Sequence, residues 1–205
     1  WGYNYSQQIV LKDEYTQNGG AGNITKIKWF VKERPSAITS FNKWKIYIGH
    51  TNLQSFSSTT FVGTATSQLV ADVVFTEDNF VAGQWLEITL TTPFNYDGNS
   101  NLLITVFEDA AAYVSGLTFA KYSTTVSSRG IYRRNDTASN VSNPPTSTQT
   151  GNIVSILPII EFEGNLASCL RPSNITGVSI TSSGVNLSWT APVVLPSNGY
   201  EYEVR

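Results

Sequence analysis

Phe94-Asn95-Tyr96-Asp97-Gly98-Asn99-Ser100-Asn101-Leu102-Leu103-Ile104 reads as the end of one strand, a tight turn and the start of an apolar strand. Aspartate can cap its own backbone and glycine accepts a positive φ, so Asp97-Gly98 before an apolar run is a hairpin signal. Upstream, Gln84 to Leu90 alternates: Leu86, Ile88 and Leu90 share the inward face, and Trp85 falls outward with Glu87 and Thr89. Downstream, Leu102 to Glu108 is apolar on both faces, as a central strand requires.

The same period of two recurs along the chain, and no window sustains a helical repeat. Gln8 to Leu11 opens as a short strand. Ile24 to Val31 follows a glycine-rich turn and puts Ile27, Trp29 and Val31 on one face, with Lys26, Lys28 and Lys32 on the other. Lys43 to Ile48 turns Trp44, Ile46 and Ile48 inward and Lys43, Lys45 and Tyr47 outward. Val70 to Thr76, Gly130 to Arg133 and Ile153 to Phe162 supply further strands. Eight or more short strands without helices predict an all-β fold of two packed antiparallel sheets, a jelly-roll-like sandwich. Residues 135–151, rich in Ser, Thr and Asn and holding Pro144-Pro145, read as a long exposed loop.

Composition narrows the function. Of the 205 residues 14% are charged and the net charge is -2, so there is no basic footprint for nucleic acid or anionic lipid. No apolar run approaches the roughly 18 residues of a membrane span, so membrane insertion is not expected. The single Cys169 cannot form an internal disulfide, and the start at Trp1 suits a processed or trimmed polypeptide.

Taken together, Gln7-Gln8-Ile9-Val10-Leu11, Gly22-Asn23-Ile24-Thr25-Lys26-Ile27, Lys45-Ile46-Tyr47-Ile48-Gly49-His50-Thr51, Gln84 to Leu90, Pro93 to Gly98, Asn101 to Ile104 and Arg133-Arg134-Asn135-Asp136 resemble a known family. It is the jelly-roll β-sandwich domain found near the front of large secreted and cell-surface proteins of Bacteroidota, often followed by fibronectin type III modules. The resemblance covers residues 1–164. It implies export through the type IX secretion route, a secreted or cell-surface location and a role in adhesion or glycan contact, with no catalytic residue. Residues 165–205 form a linker and a segment that looks like the opening of a fibronectin type III domain: Leu170 to Ile175, Val185 to Pro192 around Trp189, and Tyr200 to Arg205.

Candidate sites follow from chemistry. A sugar-binding surface needs exposed aromatic rings flanked by polar groups, and the outward aromatics are Phe30, Tyr47 and Trp85, with Tyr132 bordering the long loop. Glycan or cell-surface ligands, or neighbouring protein domains, are the partners these imply. Asp136-Thr137-Ala138 matches the short pattern at which exported Bacteroidota proteins are O-glycosylated, which makes Thr137 the modification candidate. His50, the only histidine, has no ligating neighbour in sequence and reads as a turn residue. Glu14, Asp72, Glu87, Glu108 and Asp109 are the carboxylates from which a glycosidase pair would be drawn, but spacing does not join any two of them. No metal or cofactor is required. Asp97 to Asn101 carries alternating oxygen ligands, so a structural calcium is the alternative to a plain Asp-Gly turn. The expectation is a non-enzymatic binding module, with a structural assembly role or service to a secreted hydrolase as alternatives.

Overall fold

A computed structural model describes residues 3–15, 20–38, 40–110, 114–135 and 149–166, and the backbone of strands at 173–181 and 184–190. Six strands build the frame: β1 (Tyr3–Val10), β2 (Gly22–Glu33), β3 (Lys43–Thr51), β4 (Gln68–Val74), β5 (Gln84–Tyr96) and β6 (Asn101–Glu108). They pair antiparallel as a nest, β3 with β4, β2 with β5 and β1 with β6. This is one long hairpin rolled up so that successive pairs fall on alternate sheets, the wrapping that defines a jelly roll.

The shorter strands then extend both sheets: β7 (Thr118–Phe119), β8 (Lys121–Ser123), β9 (Gly130–Asn135), β10 (Asn152–Val154), β11 (Ile156–Pro158) and β12 (Ile160–Leu166). One sheet runs β10-β9-β1-β6-β3-β4, the other β12-β2-β5 with β7 beside β2, and β8 pairs with β11. The chain is an all-β antiparallel sandwich. β13 (Ser173–Thr181) and β14 (Gly184–Thr190) pair antiparallel in a two-stranded sheet of their own. Thr137, Cys169 and Tyr200 to Arg205 lie outside the described residues.

Rolling the hairpin forces its connections to cross between sheets in neighbouring pairs. At one end Gly98, at φ 74°, lies so close to the β1–β2 connection that a Cβ there would come 2.7 Å from the Ala21 nitrogen. Asp97-Gly98 is therefore a true turn but not a hairpin: it carries the chain from β5 in one sheet to β6 in the other. At the opposite end the Phe75 N–H donates to Asn42 O at 2.7 Å, and Arg34 Nη1 donates to Phe80 O at 3.1 Å, tying the β2–β3 crossing to the β4–β5 crossing.

Other sequence expectations are adjusted by the same topology. The run from Ile153 to Phe162 is three strands rather than one, because it passes from β10 in the first sheet through β11 to β12 in the second. The opening strand starts earlier, at Tyr3, and a one-turn helix α1 (Lys12–Tyr15) follows it. β12 runs to Leu166, two residues past the expected domain end.

Between the sheets Trp29 and Trp44 meet edge-to-face at 5.8 Å, with Ile27, Ile46, Ile48, Leu86, Ile88, Leu102 and Ile104 buried around them. The Trp44 indole N–H donates to Phe41 O at 3.0 Å, which satisfies it inside the core.

A second core lies on the outer face of the larger sheet. Tyr5, Ile9, Leu103, Phe107 and Ile131 are covered there by Phe56 and Phe61, from the connection between β3 and β4. Gln7 holds that connection down: its side-chain amide donates to Val62 O at 2.6 Å and accepts from Val62 N–H at 2.9 Å, so it stands in for a strand neighbour. Gln7, Thr105 and Tyr47 form one row across the sheet. Tyr47 is only 9% exposed and is not the surface aromatic that alternation implies. Alternation identifies the face but not the loop that covers it.

Arg129, which is 0% exposed, locks the same side. Its guanidinium makes a two-pronged ion pair with Glu14 of α1, with Nη2 to Oε1 at 2.7 Å, and also donates to the Tyr122 hydroxyl at 3.1 Å.

Replacing Gln7 with Leu leaves the Val62 N–H and C=O without partners, and a loss of about 1–3 kcal/mol is expected in urea denaturation, with faster amide exchange at Val62. Glu14→Ala strands a buried guanidinium, and a loss of about 3 kcal/mol or more is expected in the same measurement.

Candidate functional site

The outer face of the smaller sheet carries the polar and aromatic side chains that its inner face excludes. Phe30 of β2 and Trp85 of β5 are cross-strand partners, and their rings meet edge-to-face at 5.4 Å and 85°. Each ring is half-buried, so the pair both supports the β2–β5 ladder and leaves aromatic surface in water.

Next along the sheet, Lys28 lies opposite Glu87 on one side and Glu161 on the other, and Lys26 lies opposite Thr89 and Glu163. The Lys28 ammonium is 3.0 Å from Glu161 and 3.5 Å from Glu87, and it is also paired with Glu163. Lys26 reaches Glu87 at 3.2 Å and Glu163 at 3.3 Å. Two lysines and three glutamates thus form one ladder with a single excess negative charge. Lys28 points outward yet is only 5% exposed. Its hydrogen bond to Glu163 outweighs the cost of that burial and raises its pKa, and the same bond, followed by that to Lys26, lowers the pKa of Glu163.

The carboxylate oxygens, about half exposed on Glu87 and Glu161, are acceptors for hydroxyl donors, and the Phe30–Trp85 pair is an apolar platform beside them. Sequence reading found the two aromatics and Glu87 but did not join Glu161 and Glu163 to the lysines. The alternation of Lys26 and Lys28 against Glu161 and Glu163 was the available signal, and it needed the β2–β12 register to be interpreted.

Tyr132 stands elsewhere. It is half-buried toward the gap between the sheets, with the Arg134 guanidinium 5.8 Å from its ring centroid. Together with Asn4, Phe41, Val114, Leu117 and Arg134 it lines a cavity of about 210 Å³. Phe30 and Trp85 therefore share a site, Tyr132 belongs to a different one, and Tyr47 is buried.

Four of the five carboxylates weighed for hydrolysis are paired with cations. Glu14 is held by Arg129, Asp72 lies 3.9 Å from Lys45, Glu87 is in the ladder and Asp109 lies 3.6 Å from Lys43. Glu108 is buried at 1% exposure.

His50 and Asp97 act together at the crossing. The Asp97 N–H donates to His50 Nε2 at 3.2 Å, and the imidazole packs 4.8 Å from the Phe94 ring. Asp97 Oδ1 accepts from the N–H groups of Asn99 and Ser100, both at 2.8 Å, and Oδ2 accepts from the Ser100 hydroxyl at 2.6 Å. Burial pushes this carboxyl up, but the Ser100 and Asn99 hydrogen bonds hold it down at about 2. Both oxygens are engaged in shaping the turn, and among the described residues no three His, Cys, Asp or Glu side chains gather as a metal-ligand group.

No family model, curated protein or solved structure matches the chain.

Lys28→Met leaves three glutamates around Lys26 alone. The lowered carboxyl of Glu163 stabilises the fold above its ordinary pKa and loses that effect as pH falls through its folded value. Thermal melts should therefore show Lys28→Met less stable than the parent at pH 7, with the gap narrowing toward pH 3.

Proposed function

We propose that this chain is a non-catalytic extracellular module that binds glycan through the outer face of its smaller sheet, within a larger secreted or cell-surface protein. The observation that carries the reading is the Phe30–Trp85 pair at the end of a ladder of half-exposed carboxylates. Stacking an apolar sugar face on a ring and accepting its hydroxyls on neighbouring oxygens needs this combination of groups.

The resemblance to Bacteroidota surface domains points the same way, and adhesion to a glycan-coated surface is the role it suggests. The ion pairs that engage Glu14, Asp72, Glu87 and Asp109 support a binding role over hydrolysis, which requires an acid and a partner carboxylate across one bond.

A second reading, assembly against neighbouring protein domains, is favoured by the β4 edge, where Leu69 and Val74 are 43% and 70% exposed. An open strand edge with apolar side chains is a surface to which another strand can add.

Polysaccharide pull-down and a glycan array with the intact chain test the first reading. Retention is expected, with Trp85→Ala or Phe30→Ala lowering affinity about tenfold or more while the melting profile shows the variant folded. Retention unchanged in both variants, or no retention by the parent on any glycan, would sink it.

A further inference from the structure

We propose that Glu108 is a neutral carboxylic acid whose Oε2 proton is donated to Asn4 Oδ1, one hydrogen bond that latches β1 to β6 at the end of the sandwich and is lost in alkaline solution. Asn4 and Glu108 are direct cross-strand partners, and their side chains alternate with the outward Tyr5 and Phe107, so both lie on the inner face. Glu108 Oε2 and Asn4 Oδ1 are both buried acceptors without a hydrogen-bond partner. Leaving two such oxygens side by side out of water is costly, and paired residues of an antiparallel ladder have Cβ atoms only about 5 Å apart. A single proton on Glu108 satisfies both at once. The other carboxyl oxygen, Oε1, is already taken by the Ala110 N–H at 2.8 Å, which fixes the carboxyl and leaves Oε2 for Asn4.

Among the described residues no cation is paired with Glu108. Its neighbour on β3 is Trp44, neutral, with its N–H committed to Phe41 O. Lys43, the next residue on that strand, is paired with Asp109. Arg134 of β9 lies on the far side of Asn4, its guanidinium over Tyr132. Across the gap stand Phe41, Val114 and Leu117, which are apolar, and Lys26 and Lys28 of the facing sheet extend to its opposite side in the glutamate ladder.

Burial, with Asp109 adding a like charge, raises the Glu108 carboxyl to about 8 despite the Ala110 N–H and the positive charge of the chain's terminal amine, both of which pull it down. Because the folded value lies above the ordinary one near 4.5, the folded state holds the extra proton. The stabilising contribution is complete below about pH 4.5 and is lost as pH climbs through about 8. Phe41 sits beside the latch with a left-handed backbone at φ 61°, a strained state for a bulky residue that the surrounding packing must hold. Loss of the latch weakens the wall of the Tyr132 cavity, on the opposite side of the smaller sheet from the Phe30–Trp85 face.

Carbon-13 NMR of the intact chain with labelled glutamate carboxyls reads the proton directly. The expected result is one carboxyl carbon, assigned by its disappearance in Glu108→Gln, that titrates with a midpoint near 8. Thermal melts from pH 5 to pH 9 provide the second measurement. The parent should lose roughly 5 °C relative to Glu108→Gln, whose amide donates to Asn4 at every pH. A Glu108 carbon that titrates near 4–5 overturns the proposal, since the carboxylate would then be ionised and accepting from the Asn4 amide. Parallel melts of parent and variant overturn it as well. If Glu108→Gln fails to fold, the titration of the parent decides alone: a glutamate carboxyl carbon with a midpoint near 8 supports the proposal, and its absence overturns it.

Discussion

Antiparallel pairing of β3 with β4, β2 with β5 and β1 with β6 is the constraint from which the rest of the molecule follows. Nested pairs from one rolled hairpin must alternate between two sheets, so each strand outside the β3–β4 hairpin leaves its sheet at the end where its partner enters. The crossings therefore lie side by side, and each end is held by contacts between connections far apart in sequence: Gly98 against Ala21 at one, Asn42 with Phe75 and Arg34 with Phe80 at the other. An Asp-Gly turn serves as a corner here because its carboxylate caps the bend from within, and the His50 ring braces it from β3.

The two outer faces solve the same problem in different ways. The larger sheet is apolar outside as well as inside, so a connection must fold over it, and Gln7 secures that cover with hydrogen bonds that a strand neighbour would otherwise make. The smaller sheet keeps its outer face wet. Lys28 is desolvated there only because three glutamates surround it, and the geometry leaves carboxylate oxygens and two aromatic rings at the surface. The second face is the one whose polar and aromatic groups are not consumed by a cover of its own, and the proposed glycan binding rests on that difference.

Buried polar groups mark where the fold carries more than packing. Arg129 is paid for by Glu14 and Tyr122, and it joins the first crossing to β8 and the entry of β9. Among the described residues no cation is paired with Glu108, and a proton is the smallest group that balances it and Asn4 together.

The alternation of Ile27, Trp29 and Val31, of Trp44, Ile46 and Ile48, and of Leu86, Ile88 and Leu90 determined the strands, the inner faces and the all-β class, because side chains along a strand point alternately to its two faces and burial selects one. It also turned Phe30 and Trp85 each away from the core, since both strands show their phase locally, but their shared face came with the β2–β5 pairing. What local phase does not carry is register and cover. Whether Tyr47 meets water depended on what covers the outer face of the larger sheet, and Tyr47 is buried there. Whether Asp97-Gly98 closed a hairpin or crossed between sheets depended on which strand β5 chose as its partner. Which glutamates of β12 reached Lys28, and that Glu108 lay opposite Asn4, depended on pairings between residues more than a hundred positions apart in the chain, and only the tertiary structure decided those.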